Sequence, residues 1–283
     1  MNIIVAETAG FCMGVDMALR KLDSLLQGAN RQTNVFTLGP IIHNPQVLQD
    51  YAAQGVTQIN DPEALAPGQT VVIRAHGIPR NIESALQAKG VNLIDATCPK
   101  VKKAQLLIAK QAEKGRLMIL LGEADHPEVR GLLSYASSGA CVVDSEEEAM
   151  ELLRDQPGSC FLAAQTTQDQ ERYARLITLL RERLEPAMPV LDTICAATMN
   201  RQSEARVIAG QVQTMIVVGG RESGNTRRLV QVAEMAGIPC FHVEVADELP
   251  LARLRGLDRI GITAGASTPK TVIQEVVQRL ETL

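Results

Sequence analysis

Short runs of consecutive apolar residues alternate along this chain with longer segments in which apolar positions recur every three or four residues. The runs NIIV, NVFTLG, TVVIRAHG, VNLIDAT, LMILLGEA, CFLAAQTT, PVLDTI, TMIVVGG, CFHVE and RIGITAG are mostly apolar on both alternating faces, as strands covered on both sides of a parallel sheet are. The segments between them, such as MGVDMALRKLDSLL and PKVKKAQLLIAKQAEKG, carry helical spacing. Strand alternating with helix predicts an α/β fold with mostly parallel sheets. Many strand-like runs close on Gly, Thr, Ser or His, at the carboxyl ends where ligand sites collect in such sheets. The segment DSEEEAMELLRDQPG predicts a solvated helix with Asp144 or Ser145 at its N-cap and an acidic first turn.

Three of the six cysteines, Cys12, Cys98 and Cys195, each fall where a strand-like run gives way to a helical one, at comparable intervals along the chain. Cysteines at three equivalent junctions can converge on one point, and helix N-termini there stabilise negative charge on sulfur. The intervals divide the chain into comparable blocks. The expected organisation is three small α/β units, 13–98, 99–192 and 193–283, the last completed by residues 1–12. Cys141, Cys160 and Cys240 lie in apolar strand-like runs and read as buried core thiols.

Composition narrows the function. At 283 residues and 46% apolar, the chain can bury a substantial core. A net charge of −4 and an aromatic content of 2% argue against a nucleic-acid reader, which needs a basic field or stacking platforms. No apolar run approaches the ~20 residues that span a bilayer, and the N-terminus lacks a secretory signal pattern. A cytosolic location is expected, where disulfides are disfavoured and cysteines serve as core residues, catalytic thiols or metal ligands.

Candidate chemistry lies in the loops after the strands. Three of the four histidines, His43, His76 and His126, stand in loops punctuated by Gly and Pro, whereas His242 lies within a strand-like run. Grouped imidazoles either ligate metal or donate hydrogen bonds to an anion. Two C-terminal loops, with Ser223, Gly224, Asn225 and Thr226 in one and Ser267 and Thr268 in the other, each lead from a strand into a helix, with Pro269 at the expected first helical position. Such loops present backbone N–H groups to phosphate, although neither matches a P-loop or dinucleotide fingerprint. His126-Pro127-Glu128 follows another strand, and burial there would fit Glu128 for general acid work. Thr166, in AQTT, is a helix cap or a partner for a substrate hydroxyl.

Three thiolates leave one metal position without cysteine. Zinc completed by His126 or His76 is one solution. A 4Fe-4S cluster with one iron open to substrate is the other. Widely separated cysteines favour the cluster, because structural zinc tends to use short paired spacings.

With these residues assembled, the chain resembles the LytB/IspH family of 4-hydroxy-3-methylbut-2-enyl diphosphate reductases. The resemblance rests on GFCMGV, LGPIIHNPQV, RAHGIP, DATCPKVKK, HPEVRG, AQTT, DTICAATMNRQ, VVGGRESGNTRRL and GITAGASTP, in that order over nearly the whole length. It implies a trefoil of three small α/β units around a central 4Fe-4S cluster held by Cys12, Cys98 and Cys195. It implies substrate binding by His43, His76, His126, Thr166, Ser223, Gly224, Asn225 and Ser267, with Glu128 as proton donor and His126 and Thr166 beside it. Gly224 stands where many members carry Ser, so contact from that position would come from backbone N–H. Lys100 stands where an apolar residue is frequent. The implied reaction is reductive removal of an allylic hydroxyl bound at the open iron, giving isopentenyl and dimethylallyl diphosphates in the last step of the non-mevalonate pathway. No flavin or nicotinamide motif is visible, and the resemblance implies ferredoxin or flavodoxin as electron donor.

Overall fold

The structure is a computed structural model that describes residues 1–27, 34–155 and 158–283. The chain forms two compact units. A terminal unit comprises Met1–Asp16, Ile42–Tyr51 and Ala196–Leu283, and a central unit comprises Met17–Ile41 and Ala52–Cys195. Every strand pairing among the described residues is parallel.

The strands in chain order are β1 (Asn2–Val5), β2 (Val35–Leu38), β3 (Val56–Ile59), β4 (Thr70–Ile73), β5 (Asn92–Asp95), β6 (Leu117–Leu121), β7 (Ala140–Val143), β8 (Cys160–Ala164), β9 (Thr214–Val218), β10 (Cys240–Val243) and β11 (Arg259–Ala264). The terminal unit holds one sheet of order β1-β11-β9-β10, and the central unit holds two, β3-β2-β4-β5 and β7-β6-β8. Beside β8 the segment PVLDTI makes a single bridge, Val190 to Leu162, in place of the expected strand. Thr193 replaces the missing main-chain partner there, its Oγ1 accepting from Ala164 N at 2.8 Å. Strand β3 escapes sequence inspection because its burial alternates poorly and two of its four residues are exposed.

Packing follows the period of two. In β9, Met215 and Val217 face a layer containing Ala205, Ile208 and Leu229. Ile216 and Val218 face the opposite layer, with Ile260, Ile262 and Val276. In the central unit, Met118, Leu120, Phe161 and Ala163 pack on Ala104, Ile108, Val129 and Leu132. The other central sheet buries Val71 and Ile73 against Ile78 and Leu86. Full burial of such side chains contributes about 1.5–3 kcal/mol each, which fixes the loops at the carboxyl ends of the strands.

Helix ends follow local chemistry. Ser145 Oγ accepts from Glu148 N at 3.0 Å, and the Glu148 carboxylate accepts from Asp144 N at 2.7 Å. This reciprocal cap satisfies two otherwise orphaned amides. Pro269 is the N-cap of Lys270–Glu281, one position before the first helical residue and not at it as expected. Cys160 is buried as expected, but Cys141 and Cys240 are only half-buried, because β7 and β10 are sheet edges.

Candidate active site

None of the six cysteines is in a disulfide. Cys12 directly precedes the helix Met13–Gln27, Cys98 caps Pro99–Ala112, and Cys195 directly precedes Ala196–Ala209. Each has its own backbone N–H tied to the loop after a neighbouring strand. Cys12 N donates to Ala266 O at 3.1 Å, Cys98 N to Ala75 O at 2.9 Å, and Cys195 N to Thr166 O at 2.9 Å. Ala266, Ala75 and Thr166 each stand two positions beyond a strand end, at Ala264, Ile73 and Ala164. The three thiols therefore have equivalent backbone settings, Cys12 in the terminal unit and Cys98 and Cys195 in the central one. Half-buried thiols at helix starts have the chemistry of metal-ligating thiolates.

The central unit also carries the acid. His126 caps the helix Pro127–Leu133, its Nδ1 accepting from Glu128 N at 3.1 Å. An accepting Nδ1 leaves Nε2 as the proton-bearing nitrogen of the neutral ring. His76 meets the His126 ring edge-on, with centroids 5.4 Å apart. Glu128 is only 1% exposed. One of its carboxylate oxygens accepts from Thr166 N at 2.6 Å and the other from Thr166 Oγ1 at 2.9 Å. Burial pushes the Glu128 carboxyl up to about 7, against the opposing pull of the two Thr166 hydrogen bonds. A carboxyl that changes protonation near neutrality is suited to proton transfer at working pH.

In the terminal unit, Ser223 Oγ caps the helix Gly224–Met235 by accepting from Thr226 N at 3.3 Å. Gly224 and Asn225 open the helix and are buried, where first-turn amides lack intrahelical acceptors. The Asn225 Nδ2 is buried without a hydrogen-bond acceptor, a donor whose desolvation cost a ligand oxygen would relieve. Ser267 Oγ donates to His43 O at 3.1 Å, joining the second loop to the histidine segment. The approach is close enough to demand glycine: a Cβ at Gly220 would lie 2.5 Å from His43 O, and one at Gly265 2.0 Å from Thr226 Oγ1. His242 is set apart in β10, where its Nε2 lies 2.8 Å from Gly219 O and steadies the first loop.

Sequence inspection missed the residues that fasten the cysteine loops. Arg201 is buried, and its guanidinium donates to Gly10 O at 3.0 Å and to Ala264 O at 2.7 Å. Glu204, one turn on, accepts from Glu7 N at 2.6 Å, from Thr8 N at 2.9 Å and from Thr8 Oγ1. Together they hold the segment between β1 and Cys12. In the central unit, Tyr173 OH lies 2.8 Å from Leu191 O and 3.2 Å from Leu162 O, bracing the segment before Cys195. A polar residue within a helical run gives little sign in sequence of which face is buried, and only the acid-base spacing of Arg201 and Glu204 offered a hint.

A buried carboxyl poised near neutrality, at the carboxyl end of parallel strands, is the mark of an α/β enzyme. The model of the LytB protein family matches residues 3–281, and the chain belongs to that family. It is 55% identical over 284 residues to a 4-hydroxy-3-methylbut-2-enyl diphosphate reductase of Solidesulfovibrio magneticus, covering 99% of both chains. It is 37% identical over 283 residues to the reductase of the same name from Clostridioides difficile, covering 100% of both. A solved (E)-4-hydroxy-3-methyl-but-2-enyl diphosphate reductase, described as the terminal enzyme of the non-mevalonate pathway, superposes with a TM-score of 0.70 at 39% identity, over 100% of both chains. The E-1-hydroxy-2-methyl-but-2-enyl-4-diphosphate reductase of Plasmodium falciparum superposes with a TM-score of 0.92 at 26% identity, covering 98% of this chain and 87% of that one.

Proposed function

We propose that this protein reduces 4-hydroxy-3-methylbut-2-enyl diphosphate to isopentenyl and dimethylallyl diphosphates, with Cys12, Cys98 and Cys195 holding a 4Fe-4S cluster. The observation that carries the reading is the pairing of a fully buried Glu128 with Thr166, in a chain whose full length aligns with reductases of that name. When bound, such a cluster supplies electrons and a Lewis-acidic iron without a protein ligand.

The chain's own residues do the rest. Protonated Glu128 delivers a proton to the departing hydroxyl, since loss of hydroxide without protonation is the harder path. Thr166 orients the carboxyl through both of its donors, and His126 offers Nε2–H to a substrate oxygen. His43, His76, Ser223, Asn225 and Ser267 bind the diphosphate, together with the Gly224 backbone amide. Neutral donors suit this task, because the anion's binding energy goes into orienting the allylic carbon chain. Three α/β units, 13–98, 99–192 and 193–283 with 1–12, are the organisation we assign to this site. Among the described residues no helix is long and apolar enough to cross a membrane, and we assign the enzyme to the cytoplasm, drawing electrons from ferredoxin or flavodoxin.

The test is anaerobic purification, an iron and zinc assay with an absorption spectrum, and turnover of the allylic diphosphate with reduced methyl viologen. The expected result is an iron-loaded brown protein that forms both products. A colourless, zinc-loaded protein would refute the cluster, and an iron-loaded protein inert towards the diphosphate would refute the substrate.

A further inference from the structure

The chain is acidic overall, yet the helix Pro99–Ala112 carries Lys100, Lys102, Lys103 and Lys110 and no acidic residue. All four lysines are exposed, as is Leu106 at 69%. Lys103, Leu106 and Lys110 recur at the spacing that puts side chains on one helix face, with Lys102 beside them. A groove of about 620 Å³ runs along this face, lined by Met17, Lys21, Lys102, Lys103, Leu106 and Leu107 among others. Two carboxylates meet these lysines: Asp95 pairs with Lys102, and Asp192 lies 3.7 Å from Lys103. The Lys21 ammonium donates to Asp95 O at 2.5 Å. Lys21, Lys100, Lys102, Lys103 and Lys110 outnumber these two carboxylates, so the face keeps an excess of positive charge.

The helix starts at Cys98, and Lys102 N donates to Cys98 O at 3.0 Å. At 1.5 Å rise per residue, Lys102 lies about 6 Å along the axis from that cysteine. We propose that this face docks an acidic one-electron carrier protein, with the lysines steering the encounter and Leu106 and Met17 giving its apolar centre. The proposal rests on the functional reading above, in which electrons reach the thiolate centre from outside. An apolar centre bordered by an excess of one sign of charge suits a fast, transient complex. Such complexes are small, and their association rates fall with ionic strength.

The test compares the anaerobic holoenzyme with Lys103→Glu/Lys110→Glu and, separately, Leu106→Ser. All three changes are on exposed positions, so folding is expected to survive. The donors are a reduced acidic 2Fe-2S ferredoxin and, as a small-molecule control, reduced methyl viologen. For the double variant the expected result is a tenfold or greater rise in KM for ferredoxin with turnover by methyl viologen unchanged. The wild type should lose ferredoxin-driven rate steeply with added salt, and the variant much less so. Leu106→Ser should raise KM several-fold without altering the salt dependence. Unchanged ferredoxin kinetics and salt dependence in the double variant would overturn the proposal. A wild type that turns over with neither donor would instead refute the functional reading. Calorimetric titration with ferredoxin then judges the surface by itself, equal affinity for wild type and variant counting against it.

Discussion

Glu128→Gln separates the proton role from every other role of this residue. The substitution keeps the shape, an acceptor for Thr166 N–H and an amide that Thr166 Oγ1 can accept from, so the local frame is expected to hold. The folded protein keeps its Glu128 proton up to about pH 7, whereas the ordinary carboxyl releases it at 4.5. That difference corresponds to roughly 3 kcal/mol held against the ionised form. The folded state then binds more protons than the unfolded chain between these values. Stability contributed through this group is fully present below pH 4.5 and declines as pH rises through 7. The Gln variant lacks that decline, so its stability relative to wild type should rise with pH over the same window in urea unfolding followed by circular dichroism. For catalysis, loss of a general acid costs about 10²–10⁴-fold in kcat. Wild-type kcat should fall tenfold per pH unit above about 7, and that limb should vanish in the variant. Substrate ionisation is common to both proteins, so a limb shared by both belongs to the substrate. Infrared titration provides a direct check, through a carboxylic C=O band that bleaches near neutrality and is missing from the variant. Turnover within tenfold of wild type, or an identical alkaline limb in both proteins, would refute the assignment.

Thr166→Val removes one hydrogen bond that favours ionised Glu128, so the alkaline limb of kcat should move to higher pH; a limb moving to lower pH would contradict this geometry. Cys195→Ser should lose iron on anaerobic gel filtration, whereas Cys160→Ser, altering a buried thiol whose Sγ lies 3.2 Å from Gly158 O, should retain it. Asn225→Ala should raise KM for the diphosphate about 5–150-fold, the equivalent of about one to three kcal/mol for a buried donor to a charged group, with iron content unchanged. Arg201→Met strands the Gly10 and Ala264 carbonyls and should destabilise the fold by about 2–4 kcal/mol in urea unfolding; Arg201→Lys should recover part of that.

Much of the architecture was legible because buried parallel strands announce themselves as apolar runs. LMILL, CFLAA and TMIVV become β6, β8 and β9 with every residue but Leu117 buried. Edges were harder to read. VTQI forms β3 with one buried residue, and PVLDTI, which reads as a strand, makes one bridge because Thr193 supplies its next contact through a side chain. The site residues were legible as types at strand ends, but their states were not. Burial of Glu128 depends on non-local packing, and the Nδ1 acceptor role of His126 depends on the cap it makes. The loop clamp of Arg201 and Glu204 showed only as a charge spacing for a similar reason, since it joins residues almost two hundred positions apart.

A deeper regularity links the three cysteine settings. Counting the strands of the sheets from β2, β6 and β9, and giving β1 the last place in its sheet, both four-stranded sheets have the order 2-1-3-4, and the third follows it when the bridge at Val190 is counted. In the terminal unit, β1 takes the fourth place although it comes first in the chain. Each cysteine follows that fourth member and hydrogen-bonds beyond the end of the third. The path lengths differ in a telling way. Registers pair Asp95 with Ile73 and Val190 with Leu162, so the segments reaching Cys98 and Cys195 are each one residue longer than the neighbouring segments reaching Ala75 and Thr166. Val5 pairs with Ile262, and the segment to Cys12 is three residues longer than the one to Ala266. Slack in a loop adds conformational freedom that must be removed to hold a ligand in place. The long approach to Cys12 is the one fastened by both a buried guanidinium and a carboxylate. Arg201 and Glu204 therefore compensate for the chain having supplied its fourth strand from the opposite end.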